Sequence, residues 1–122
     1  LENANLQPAD IGHIHGHGIS TISADRGEAV AINKIFGNQT PVVAAKSYMG
    51  NLGAGSGSVE MISSLLALDK GTLFKTLNYD TPDPLCDIQV TNSIDIPAGD
   101  SFINLNASPQ GQASAVVIKS LQ

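Results

Sequence analysis

The stretch His17-Gly18-Ile19-Ser20-Thr21, followed by Asp25 and Glu28, stands where an apolar-alternating run gives way to a helical one. Before it, Ile11-Gly12-His13-Ile14-His15-Gly16 alternates between apolar and polar positions, as a short strand does. After it, Asp25 to Phe36 carries Ala29, Ile32, Ile35 and Phe36 at helical spacing, with Ser23 or Asp25 as a candidate cap and Gly37 as the stop. Pro41-Val42-Val43-Ala44-Ala45 is then a continuous apolar run, the pattern of a strand covered on both faces. Strand, helix and strand in this order predict a right-handed parallel crossover. That places His17 and Lys46 at the carboxyl ends of neighbouring strands, where an α/β sheet presents side chains to a ligand.

Outward from this unit, Lys46-Ser47-Tyr48-Met49-Gly50-Asn51 continues into Gly53, Gly55 and Gly57, a loop whose backbone can approach a neighbour or a ligand closely. Val59 to Leu68 reads as a helix that is apolar on most of its circumference, through Ile62, Leu65, Leu66 and Ala67. It is expected to be largely buried and to stop at Gly71. Thr72 to Pro84 has no period, and Pro82 and Pro84 make it an extended connection. Ile88-Gln89-Val90, Ser101 to Asn106 and Ser114 to Ile118 read as short strands, the last two as an antiparallel pair. At the other end, Leu1 to Leu6 has the composition of the tail of a helix from a longer chain, and Gln7-Pro8-Ala9-Asp10 reads as a turn. The expected architecture is a single α/β domain, a mixed parallel and antiparallel sheet packed with two main helices.

A chain of 122 residues with 42% hydrophobic and 14% charged residues forms one modest core, and so few charges suggest that part of its surface is covered by a partner. The net charge of -5, with only 6 Lys and Arg, argues against nucleic-acid binding and against anionic lipid. No apolar run has the length of a membrane span. A single cysteine, Cys86, excludes an internal disulfide and a multi-cysteine metal site, and points to a reducing, cytoplasmic setting.

A neutral imidazole can donate or accept a proton near pH 7, which makes His17, on a glycine-flanked loop after a strand, the first candidate for catalysis. Two other readings stay open from the residues alone. His13, His15 and His17 can be hydrogen-bonded core or surface residues, or they can share one strand face as metal ligands, although no acidic or Cys ligand lies nearby in sequence.

Asp10-Ile11 through His17-Gly18-x-x-Thr21, then Asp25-x-x-Glu28, Phe36-Gly37, Lys46-Ser47-x-x-Gly50 and Gly57, in this order and spacing, resembles the C-terminal half of the β-ketoacyl-acyl carrier protein synthases. The similarity extends through Asn78, Pro82, Cys86 and Asp87. The resemblance implies a thiolase-like half whose active site is closed by an N-terminal half carrying the nucleophilic cysteine. It further implies a full-length acyltransferase catalysing decarboxylative Claisen condensation of acyl and malonyl thioesters in fatty-acid or polyketide synthesis. No cofactor and no metal are implied. The implied partners are the N-terminal half, an acyl carrier protein, and a second subunit in a homodimer or ketosynthase heterodimer. Without its other half this chain is expected to be inactive and to expose an apolar face, and Cys86 is expected to be an inert, partly buried thiol.

By the same resemblance His17 matches the first active-site histidine, which stabilises a developing enolate, Lys46 the active-site lysine, and Glu28 its acidic partner. Asp25 and Thr21 support the same loop. The chain also departs from the family pattern. Asn51 stands where most elongating synthases have a second histidine, although initiating and chalcone-type synthases use a Cys-His-Asn set. Ile19 and Ser20 replace a Thr and a Gly. Ser108-Pro109-Gln110-Gly111 stands roughly where a Gly-Phe-Gly-Gly loop gates the acyl pocket, and keeps only its last glycine. These losses also fit a non-catalytic partner subunit of the chain-length-factor type.

Overall fold

The computed structural model describes residues 1–121. In chain order the elements are β1 (His13–His15), α1 (Ile22–Phe36), β2 (Pro41–Val43), the single-turn α2 (Lys46–Met49), α3 (Ser56–Lys70), β3 (Gln89–Val90), β4 (Ser101–Ala107) and β5 (Ala113–Lys119). Short 3-10 turns occupy Glu2–Ala4, Pro8–Asp10 and Gly53–Gly55. One five-stranded sheet runs β3-β2-β1-β4-β5, parallel throughout except for the antiparallel β4–β5 hairpin. The parallel crossover and the mixed sheet thus match the sequence reading.

The register divides the sheet into two chemically different faces. Ile14 pairs with Val42 and Ile103, and these three join Ile11 and Ile32 of α1 in an apolar cluster. On the other face His13 pairs with Phe102 and His15 with Asn104 and Val43, and α3 covers this face. The period-2 alternation of a strand puts every second side chain of β1 under a different helix. His13 and His15 are accordingly fully buried on the α3 side.

Three expectations are corrected. The first helix begins at Ile22 with Thr21 as its N-cap residue, not at Ser23 or Asp25, and Thr21 makes no side-chain capping bond there. Glu2–Ala4 is a single 3-10 turn, ended by Asn5 in the left-handed region, where a helical tail was expected. The third correction concerns α3, whose packing is the reverse of its apolar pattern. Its buried residues are Ser56, Glu60, Ser64 and Ala67, whereas Ile62 (56% exposed), Leu65 (42%) and Leu66 (57%) face outward. The face beneath it decides this, because His13, His15, Lys46 and Asn106 offer hydrogen-bonding groups that only a polar helix stripe can satisfy.

Candidate active site

The site is built from the carboxyl ends of β1 and β2, closed on one side by α3. Beyond β1 the chain turns through Gly16 to Gly18. Gly18 has φ +47 and a Cβ there would lie 2.9 Å from Ala44 Cβ, so this turn against the neighbouring strand requires glycine. Glu28, projecting from α1, takes both amides of the turn: its Oε1 accepts from His17 N–H at 2.6 Å and its Oε2 from Gly18 N–H at 2.9 Å. Both carboxylate oxygens are therefore spent on holding the His17 backbone.

This corrects the pairing of Glu28 with Lys46. The ammonium of Lys46 is buried and is bonded instead to Glu60 Oε1, from the polar stripe of α3. It also donates to the His17 carbonyl oxygen at 2.8 Å and lies 3.2 Å from His17 Nδ1. Glu60 in turn accepts from Asn106 Nδ2 at 3.1 Å through Oε2, so β4 completes the network. A buried ammonium needs a carboxylate close by, and Glu60 meets that need. Sequence reasoning missed Glu60, although the spacing of Ser56, Glu60 and Ser64, one helical turn apart, with Glu60 the only charged residue of the helix before Asp69, was a legible signal.

The directions of these bonds fix the histidine tautomer. An ammonium has only N–H donors, so His17 Nδ1 must accept and His17 Nε2 carries the ring proton. The ring lines a cavity of about 510 Å³ together with Asn51, Asn106, Ser108 and Pro109. Asn51 Oδ1 accepts from Gly53 N–H at 3.1 Å and from the Ser56 hydroxyl at 3.0 Å, which leaves its Nδ2 as the free donor end. The two residues that carry these N–H donors, His17 and Asn51, therefore line one cavity, and neither needs to move a proton to stabilise negative charge.

The other sequence candidates are divided between this cavity and a second one. Ser108 to Gly111 forms the turn between β4 and β5, closed by Ser108 N–H to Gln112 O at 2.8 Å; of the four, Ser108 and Pro109 line the cavity. Thr21, Asp25 and Glu28 line a second cavity of about 560 Å³, together with Lys46 and Cys86, and not the one that His17 lines. The Cys86 thiol is partly buried, and its pKa is pushed up, first by burial and then by the Asp83 carboxylate.

His13 and His15 are separate from this centre in function and engaged with the fold. Both imidazoles bond the Ser64 hydroxyl, His13 Nε2 at 3.0 Å and His15 Nδ1 at 2.7 Å, while His17 lies beyond the strand beside Lys46. Burial holds both buried rings below the ordinary histidine range, His15 to about 3, where His13 and the Lys46 charge add to the effect. Among the described residues no group of three or more His, Cys, Asp or Glu side chains could hold a metal ion, and no helix is long and apolar enough to cross a membrane.

Residues 1–80 match the family model for the β-ketoacyl synthase C-terminal domain. A putative polyketide β-ketoacyl synthase 1 of Streptomyces virginiae is 34% identical over 126 aligned positions, which cover 100% of this chain and 30% of that protein. Nodulation protein E of Rhizobium leguminosarum bv. trifolii is 34% identical over 97 residues, 77% of this chain and 24% of that protein. Among solved structures, a type II polyketide synthase acyl-carrier protein in complex with its ketosynthase superimposes with a TM-score of 0.94 at 28% identity, covering 100% of this chain and 31% of that one. A β-ketoacyl synthase from Burkholderia phymatum gives 0.90 at 22% identity, covering 100% and 30%, a likeness of fold. The chain thus spans about a quarter to a third of the length of the proteins it matches. With its thiolase-like sheet and the family match over residues 1–80, this chain belongs to the β-ketoacyl synthases, as their C-terminal domain.

Proposed function

We propose that this chain is the C-terminal part of a ketosynthase that joins acyl and malonyl thioesters by decarboxylative Claisen condensation, and that it is inactive without an N-terminal half supplying the cysteine nucleophile. The observation that carries this reading is the hydrogen-bond polarity at His17. With Lys46 donating to Nδ1, the ring offers Nε2–H to the cavity that Asn51 also lines. In the reaction the bond from the malonyl carboxylate to its α-carbon breaks, carbon dioxide leaves, and the electron pair forms an enolate on the thioester. The His17 and Asn51 donors hold the enolate oxygen, and the α-carbon attacks the acyl thioester on the cysteine, whose thiolate departs. Glu28 holds the His17 backbone, and Lys46 with Glu60 fixes the ring.

The outward Ile62, Leu65 and Leu66 of α3 give the N-terminal half an apolar surface to cover. The acyl carrier protein and a second synthase subunit are the partners this reading calls for. The carrier-protein complex among the similar structures supports the first, and the dimer rests on the family resemblance. The turn at Ser108 to Gly111 is the gate to the acyl pocket in this reading.

A second reading, a non-catalytic partner of the chain-length-factor type, is favoured by Asn51 in place of a second imidazole. Carbon dioxide release from malonyl-acyl carrier protein by the full-length protein tests both. The ketosynthase reading expects release that His17→Ala lowers by about 10²–10³, the usual effect of losing an oxyanion donor. Absence of release, with stable association with a separate active ketosynthase, would replace it by the second reading.

A further inference from the structure

We propose that Ser64 is a positioning residue for this site, the link through which the buried pair His13 and His15 sets the place of α3 and hence the Lys46–Glu60–His17 geometry. The inference rests on the ketosynthase reading for its activity arm only. Ala45 N–H, immediately before Lys46, donates to His15 Nε2 at 3.2 Å. Because a backbone amide can only donate, His15 Nε2 accepts, and in the neutral ring Nδ1 carries the proton and donates to Ser64 Oγ at 2.7 Å. The Ser64 hydroxyl then has its own proton free for His13 Nε2 at 3.0 Å. His13 Nδ1–H ends the chain on the Ala98 carbonyl at 2.8 Å.

A backbone donor at one end and a backbone acceptor at the other allow one polarity only, and Ser64, fully buried, is the member that must both accept and donate. It lies one helical turn beyond Glu60 on the stripe of α3 that faces the sheet. The relay therefore ties α3 to β1 at Ser64 and to the start of α2 at Ala45, so that Glu60 and Lys46 are each held one step from an anchored backbone. Losing the hydroxyl orphans two imidazole nitrogens and frees α3 to shift against β1. Lys46 then no longer satisfies Glu60, His17 O and His17 Nδ1 together, and the His17 ring is free to adopt its other tautomer.

The test is imidazole 15N NMR of the full-length protein, which reads the protonated nitrogen of each histidine separately. In the unaltered protein His17 and His13 are expected as single tautomers with opposite protonated nitrogens, Nε2 and Nδ1. Ser64→Ala should convert the His17 signal to a mixture of tautomers. It should also lower kcat for malonyl-thioester decarboxylation at least tenfold, with KM changed less than twofold. Ser64→Thr, which keeps the oxygen, should restore the single tautomer. If Ser64→Ala does not fold, Ser64→Cys, a weaker hydrogen-bonding group of similar shape, should give the mixture. A folded Ser64→Ala or Ser64→Cys protein with an unchanged single His17 tautomer would overturn the proposal. Failure of the unaltered protein to decarboxylate, with the tautomer response intact, would overturn the ketosynthase reading and leave the positioning role standing.

Discussion

Lys46 is bonded to Glu60 across the gap between the end of β2 and α3, and Glu28, the acid that the family resemblance implies as its partner, does not take part. Two carboxylates thus serve one histidine by different routes. Glu28 holds its main chain and Glu60 holds the ammonium that orients its ring.

The first prediction separates these routes. Glu60→Gln leaves a buried ammonium without its counter-charge and should destabilise by about 3–5 kcal/mol. Glu28→Gln loses charge-assisted bonds to two amides and should cost about 1–3 kcal/mol. In urea denaturation a double-mutant cycle of Lys46→Met with Glu60→Gln should show strong coupling, and one with Glu28→Gln much weaker coupling. Equal couplings would show that both acids share the ammonium.

Acid should weaken the fold through its two buried histidines. His13 and His15 have pKa values lowered in the folded protein, His15 to about 3, chiefly by burial. The unfolded chain therefore takes up protons near pH 6.5 that the folded chain refuses. Their stabilisation is complete above the unfolded value and is lost as pH falls below about 6.5, at about 1.4 kcal/mol per pH unit for each ring, down to about 3 for His15 and to its own lowered pKa for His13. Asp83 has its pKa lowered by the Leu85 amide and by Arg26, so its own contribution is lost only below 3.8. Urea midpoints between pH 7.5 and 4.5 measure the effect, and a flat profile would show that the two rings are accessible to protons.

Ser20 occupies the left-handed region at φ +64, where the family pattern has glycine. A side chain there costs roughly 1–2 kcal/mol, and glycine gives back about 0.5–1 kcal/mol through the freedom of the unfolded chain. Ser20→Gly should therefore raise stability by up to about 1.5 kcal/mol in thermal or urea unfolding. A loss would mean that the Ser20 side chain makes a stabilising contact that outweighs its backbone strain.

Asn51 should act as a donor and not as a base. Asn51→Asp keeps the oxygen that accepts from Gly53 and Ser56 but replaces the Nδ2 donor with negative charge. Decarboxylation by the full-length protein should fall by about 10²–10³. Unchanged turnover would remove Asn51 from the oxyanion site.

The helix of residues 56–70 shows where sequence and structure part. Its apolar content suggested burial on most sides, yet what it buries is Ser56, Glu60 and Ser64, with Ala67 the one buried apolar residue. Periodicity reports how many apolar residues a helix carries and where they cluster, while burial depends on what lies opposite. Opposite this helix are two histidines, a lysine and an asparagine from three segments distant in sequence.

By itself the sequence determined the order of strand, helix and strand, the parallel sheet and the placing of His17 and Lys46 at adjacent strand ends, because backbone period, turn residues and glycine stops are local properties. It also carried the family, through motifs spread along the chain in fixed order. Only the tertiary structure decided which carboxylate meets Lys46, which ring nitrogen of His17 holds the proton, and why two further histidines sit in the core. Each of these depends on directional bonds a few ångströms long between segments far apart in sequence, and such bonds exist only once the sheet has brought the segments together.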